Sequence, residues 1–137
     1  DPHHGRIFAG DELRRVDDAD LPGWLSCADV LFFLLDDRLV DQARWPHKVG
    51  DYMAVGRPVV ITRVGDIADF IEKHGVGLVA SQEETDIVEK IVSLLTDSDR
   101  AAEMGRRGRE TAVTVLDWRR RADELEHILQ LALRKRE

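Results

Sequence analysis

Six apolar residues in a row, Val30-Leu31-Phe32-Phe33-Leu34-Leu35, constrain the fold of this chain more than any other feature. A strand with one wet face alternates apolar and polar side chains. An unbroken apolar run predicts a strand covered on both faces, as in a parallel sheet between helix layers. The surrounding pattern agrees. Leu21–Ala28 reads as a helix, with Asp20 as its N-cap and Pro22 in its first turn, where a missing N–H costs nothing. Asp36–Trp45 reads as a loop, and His47–Val55 as a helix closed by a left-handed Gly56. Pro58–Thr62 is the next strand. Ile67, Phe70 and Ile71 share one face of a helix that Gly75 ends, and Gly77–Ala80 is a further strand. Near the start, Arg6–Ala9 is a short strand, followed by an acidic loop to Asp20. Alternation of this kind predicts an α/β fold with a parallel sheet of about four strands, right-handed crossovers and helices on both faces.

Ser81 and Glu84 have capping-box spacing for the helix that follows, whose apolar residues are Ile87, Val88, Ile91, Val92, Leu94 and Leu95. From Ser98 the pattern is helical, with a break near Thr114–Asp117. Trp118, Leu125, Ile128, Leu129 and Leu131 form the apolar face of the last helix. The 137 residues therefore divide into an α/β core over 1–97 and a C-terminal helical segment over 98–137, within a single domain.

A net charge of −7 argues against a nucleic-acid surface, which needs a basic stripe to displace phosphate counterions. Two basic clusters do occur, Arg106-Arg107-Gly108-Arg109 and Arg119-Arg120-Arg121. Glu103, Glu110, Asp117 and Asp123 flank them. They read as solvated helix faces with charge pairs, or else as a contact for anionic lipid. The single cysteine, Cys27, sits in an apolar stretch and reads as a buried structural thiol. It allows no internal disulfide, so a reducing, cytoplasmic setting is expected. No metal site is expected, because no Cys/His cluster has zinc-like spacing.

The most informative stretch is Arg44-Trp45-Pro46-His47-Lys48-Val49-Gly50-Asp51-Tyr52-Met53-Ala54-Val55-Gly56-Arg57-Pro58-Val59-Val60. It resembles the signature Pro-x-Lys-x-x-Glu-Tyr-Met-Ala-x-Gly-x-Pro-Val-Val of family 4 glycosyltransferases and their GT-B relatives. Asp51 stands where that family usually has Glu. Leu21–Val30 is similar to the family's step into the preceding strand, and Val64–Asp69 to its Gly-Gly-Ile-Pro-Glu loop. The resemblance implies a partial Rossmann-like fold, the C-terminal, nucleotide-sugar-binding domain of a GT-B enzyme. The parent would transfer a sugar from a nucleotide donor to an acceptor, with retention and without a metal or other cofactor.

The resemblance assigns Asp51 to the donor ribose, although Asp is one methylene shorter than Glu. Ligands of open α/β sheets bind outside the carboxyl ends of the strands. Pro46, His47 and Lys48 at a helix start suit a phosphate or sugar hydroxyl there. Arg63 and Gly65 in the next edge loop are further donor-binding candidates. Many family members carry a second glutamate eight positions before the first, where this chain has Ala43. No catalytic residue is named.

By the same resemblance, Arg6–Ala9 corresponds to a third strand. The two strands before it, their basic pair and the acceptor-binding domain lie outside this sequence. Val30–Leu35 would then be an open edge, and the last helix would lack the domain it crosses to. Self-association, or movement of Arg6–Ala9 beside that edge, is the expected response. The isolated chain is expected to be inactive. A second reading is a non-catalytic domain, derived from a glycosyltransferase, that binds a nucleotide or a protein. A response-regulator-like domain fits less well, because no acidic cluster follows a first strand.

Overall fold

The computed structural model describes residues 16–134. Three parallel strands form the sheet: β1 (Leu31–Phe33), β2 (Val59–Thr62) and β3 (Gly77–Ala80), in the order β1-β2-β3. Leu31 pairs with Val59, and Val59 with Gly77. Helices α1 (Leu21–Ser26), α2 (Leu39–Gln42), α3 (His47–Ala54), α4 (Gly65–His74), α5 (Glu84–Thr96), α6 (Ser98–Thr114) and α7 (Trp118–Arg134) complete the described chain. The α/β fold with a parallel sheet and a long C-terminal helical segment is as the sequence predicts. The expected strand at Arg6–Ala9 lies outside the described residues.

β2 carries the core. All four of its residues are buried, and successive side chains serve opposite faces. Val59 and Ile61 join Leu35, Val49, Met53, Ile67 and Ile71, so α3 and α4 cover one face. Val60 joins Ala80 and Leu94, so α5 covers the other. Gly56 and Gly75 end α3 and α4 at φ +74° and +60°, in the left-handed region that glycine enters without a Cβ clash.

Several expectations need correction. The Val30–Leu35 run was expected to be covered on both faces, yet Phe32 is 55% exposed and Leu34 46%. The physical reason is position: β1 is the edge strand among the described residues, and α5 lies over β2 and β3. For the same reason Val88, Val92 and Leu95 stay exposed, while Leu94 is buried and Ile87 and Ile91 are partly so. The segment 36–45 is not all loop, since it contains α2. Asp20 has helical dihedrals and makes no side-chain cap. Ser81 does not close a box with Glu84. Its N–H donates to the Asp86 carboxylate at 2.6 Å, and its hydroxyl accepts from the Glu83 N–H at 3.3 Å. Hydrogen bonds from Ser81, the backbone N–H first and the hydroxyl second, hold Asp86 below the ordinary carboxylate range. Cys27 is exposed, because α1 buries none of its residues.

The break after Thr114 is a tied corner. Asp117 Oδ1 accepts from the N–H groups of Arg119 (2.7 Å) and Arg120 (3.2 Å), capping α7. Arg120 donates to the Thr114 carbonyl at 2.8 Å, and Arg121 to the Val115 carbonyl through Nε at 3.0 Å. These bonds satisfy carbonyls at the end of α6 that have no partner within the helix. Both basic clusters are largely taken up in pairs. Arg106 and Arg107 bind Glu103, Arg106 also binds Glu110, and Arg120 and Arg121 bind Glu124.

Candidate functional site

The carboxyl edge of the sheet is clasped by one hydroxyl. Thr62 Oγ1 accepts from the Leu35 N–H at 2.8 Å and donates to the Leu35 carbonyl at 2.7 Å. The Gln82 amide donates to the same carbonyl at 3.1 Å. The ends of β1, β2 and β3 are thereby joined beyond their regular ladder. This sets where the chain leaves β1 for α2 and α3. Neither Thr62 nor Gln82 was singled out in the sequence, because the bonds connect residues far apart in the chain.

From that edge α3 runs back along the sheet, with α6 antiparallel beside it. The approach is backbone to backbone. A Cβ on Gly105 would lie 2.1 Å from the Gly56 carbonyl oxygen, and one on Gly108 would lie 3.5 Å from Met53. Nearer the edge, Gly50 faces Leu116, and the His47 ring stacks on Trp118, with centroids 6.1 Å apart and planes at 29°. Between α3 and the α6–α7 corner lies a cavity of about 350 Å³, lined among others by Trp45, His47, Asp51, Leu116, Trp118 and Arg121. A second cavity of about 380 Å³, lined among others by Leu21, Pro22 and Arg109, lies on the other side of Asp51.

His47 and Asp51 reach the first cavity together because residues four apart share a helix face. Both are exposed. Pro46, Lys48, Arg63 and Gly65 do not line this cavity. Pro46 is buried at the N-cap position of α3, and no side chain caps the helix. Among the described residues the N–H groups of His47 and Lys48 have no hydrogen-bond partner, and Lys48 makes no ion pair. This helix start therefore presents free donors and positive potential.

Arg63, in the loop before α4, is held by that helix, paired with Glu72 and, at 3.7 Å, with Asp69. Gly65 has φ +63°, and a Cβ there would lie 2.6 Å from the Gln42 carbonyl oxygen. Close contact between α2 and α4 explains that glycine without any ligand. Beside Asp51, burial first and the Asp51 charge second push the Tyr52 phenol above its ordinary value, so it stays protonated at neutral pH. Asp41, only 7% exposed, is paired with Arg44 at 2.9 Å and Arg38 at 3.8 Å. It fixes the segment that leads into α3. No cluster of three or more His, Cys, Asp or Glu suited to a metal occurs among the described residues. No described helix is long and apolar enough to cross a membrane.

A parallel sheet flanked by helices, with a cavity beside an uncapped helix start, defines the class as an α/β domain. The family profile described as "Glycosyl transferases group 1" matches residues 5–97, and the chain belongs to that family. No curated protein sequence matches it with significance. Among solved structures, the sucrose-phosphate synthase of Thermosynechococcus elongatus is similar, with a TM-score of 0.71 and 22% identity over 92% of this chain. WaaG, a glycosyltransferase involved in lipopolysaccharide biosynthesis, is similar with a TM-score of 0.59 and 21% identity over 69% of this chain. At such identity the likeness is one of fold, and it agrees with the GT-B resemblance. The chain spans 31% of the first protein and 25% of the second.

Proposed function

We propose that this chain holds the nucleoside diphosphate portion of a nucleotide-sugar donor, and that a longer protein containing it transfers the sugar to an acceptor. The observation that carries the reading is Asp51: an exposed carboxylate in a cavity beside an uncapped helix start, within a chain of this family. A carboxylate can accept from both ribose hydroxyls. The free His47 and Lys48 N–H groups, with the Lys48 ammonium as a point charge, suit the diphosphate. Arg63 would have to leave Glu72 and Asp69 to take part, so the diphosphate falls to α3 first.

In this reading the diphosphate leaves from an oxocarbenium-like centre stabilised electrostatically, with retention and with neither metal nor cofactor. The acceptor is held by a further domain. The partners are the donor and that domain, with no role for nucleic acid. A cytoplasmic setting, with only the basic residues outside the ion pairs of α6 and α7 available to a membrane surface, completes the proposal.

The test is an NMR titration with a nucleoside diphosphate. Binding on the order of millimolar is expected, with shifts centred on 46–52. Asp51→Ala should weaken it about tenfold, the scale of a lost charge-assisted hydrogen bond. Shifts centred elsewhere would sink the assignment. The chain alone should transfer no sugar, because nothing on it orients an acceptor. Robust turnover by pure chain would overturn that. A non-catalytic binding role has one observation in its favour: position 43 is an exposed alanine ending α2, and the nearby Asp41 is already ion-paired. A donor-hydrolysis or transfer assay on the longer protein separates the two.

A further inference from the structure

We propose that the base of the nucleotide enters between His47 and Trp118, and that Trp118, on a helix outside the family-matched residues 5–97, is its main stacking platform. The inference rests on the nucleotide reading above and assigns the base within it.

The two rings already face one another. A planar ring placed between them needs roughly 7 Å, two carbon contacts of about 3.5 Å each. The observed centroid separation is 6.1 Å. The opening required is under ~1 Å, within reach of a small turn of an exposed side chain. Trp118 is 75% exposed, so its face is open to a ligand and its substitution leaves the core intact. It is nonetheless placed firmly. Asp117 caps α7 through the N–H groups of Arg119 and Arg120, and Arg120 and Arg121 tie the first turn of α7 back to the end of α6.

Asp51 lies one helical turn along α3 from His47 and lines the same cavity. A base stacked at His47 therefore brings its attached ribose toward the Asp51 carboxylate. The uncapped first turn of α3 starts at His47 itself. A cavity of about 350 Å³ suits a nucleoside better than a whole sugar nucleotide, given the ~300–1,000 Å³ of ordinary ligand pockets. Stacking alone accepts any base, so this site supplies affinity and little choice of base.

The experiment compares UDP and ribose 5-phosphate binding to the whole chain and to its Trp118→Ala, Trp118→Phe and Asp51→Ala variants. Trp118→Ala should weaken UDP about tenfold, the scale of one base–aromatic stack, while ribose 5-phosphate is unchanged. Trp118→Phe should recover most of the loss, and UDP should quench tryptophan fluorescence more in wild type than in Trp118→Phe, which keeps Trp45 in the same cavity. If UDP binds Trp118→Ala as it binds wild type while Asp51→Ala weakens it, the ribose site stands and the base assignment is overturned. If neither variant changes UDP binding, or UDP does not bind, the nucleotide reading itself fails and this inference fails with it.

Discussion

Helices α6 and α7 are each 17 residues long and follow one another in the chain, yet they are used in opposite ways. α7 has the larger apolar side chains, Leu125, Ile128, Leu129, Leu131 and Leu133, and buries none of them. α6 has few, and it is the one seated against the sheet layer, through Gly105, Gly108 and Thr111. Its attachment comes from how closely its backbone can approach α3. The comparison separates two quantities that a sequence reading tends to merge. Apolar content says how much a helix gains from a partner, and shape says whether that partner is the rest of this chain.

The contrast breaks first at Gly105. In an exposed helix Gly→Ala stabilises by up to about 1 kcal/mol. At Gly105 the sign reverses, because the new Cβ would meet the Gly56 carbonyl at 2.1 Å, backbone against backbone. Gly105→Ala should cost on the order of 3 kcal/mol in urea unfolding. Gly108→Ala, three residues on, meets Met53 at an ordinary 3.5 Å and should be neutral or slightly stabilising. Equal effects at the two positions would remove close approach as the basis of the α3–α6 contact.

The second test is assembly. The uncovered apolar side of α7, with Phe32 and Leu34 at the β1 edge, gives the chain two surfaces that gain from covering. We expect self-association at micromolar concentration in sedimentation, reduced by Leu125→Asp with Leu129→Asp. A clean monomer, still soluble after truncation at Leu116, would show that neither surface needs a partner. Smaller still is Leu129→Ala, which should change unfolding free energy by less than about 0.5 kcal/mol. The fully buried Met53 changed to Ala should cost about 2–5 kcal/mol. A Leu129 effect above ~1 kcal/mol would mean that α7 is covered after all.

The parts legible in the sequence were those set by local chemistry. β3 lies where read, and Gly56 and Gly75 close their helices as left-handed residues. What stayed hidden depends on residues far apart. α2 is a single turn, Leu39–Gln42, whose two aliphatic residues stay exposed, and it is fixed by Asp41 between two arginines and by the Gln42 carbonyl against Gly65. The exposed stripe of α5 follows from the position of β1 at an edge, which no periodicity reveals. At the candidate site, the residues of α3 could be read from one motif. Trp118, 71 positions after His47, could not be, and it reads by itself as part of an apolar face. Arg63 looked free for the same reason, since its partners Glu72 and Asp69 become neighbours only when α4 folds.

The finest difference between the two helices is electrostatic. On α6, Glu103 accepts from Arg106 through Nε and Nη2, both at 2.9 Å, and from Arg107 Nε at 2.8 Å. Hydrogen bonds from Arg106 and then Arg107 hold its carboxyl at about 2, against an ordinary value near 4.5. A carboxyl whose folded value is depressed binds protons less readily in the folded chain than in the unfolded one. Its contribution is therefore complete above pH 4.5 and is lost as pH falls from 4.5 toward 2. The group is solvent-exposed, so the effect should be small and should shrink further in salt. Wild type and Glu103→Gln should differ in urea midpoint at pH 6 and by clearly less at pH 3, with the gap closing only toward pH 2. Comparing the two proteins at each pH cancels the titration of every other carboxylate. A gap of the same size at both pH values would mean that the Glu103 charge contributes nothing to the stability of α6.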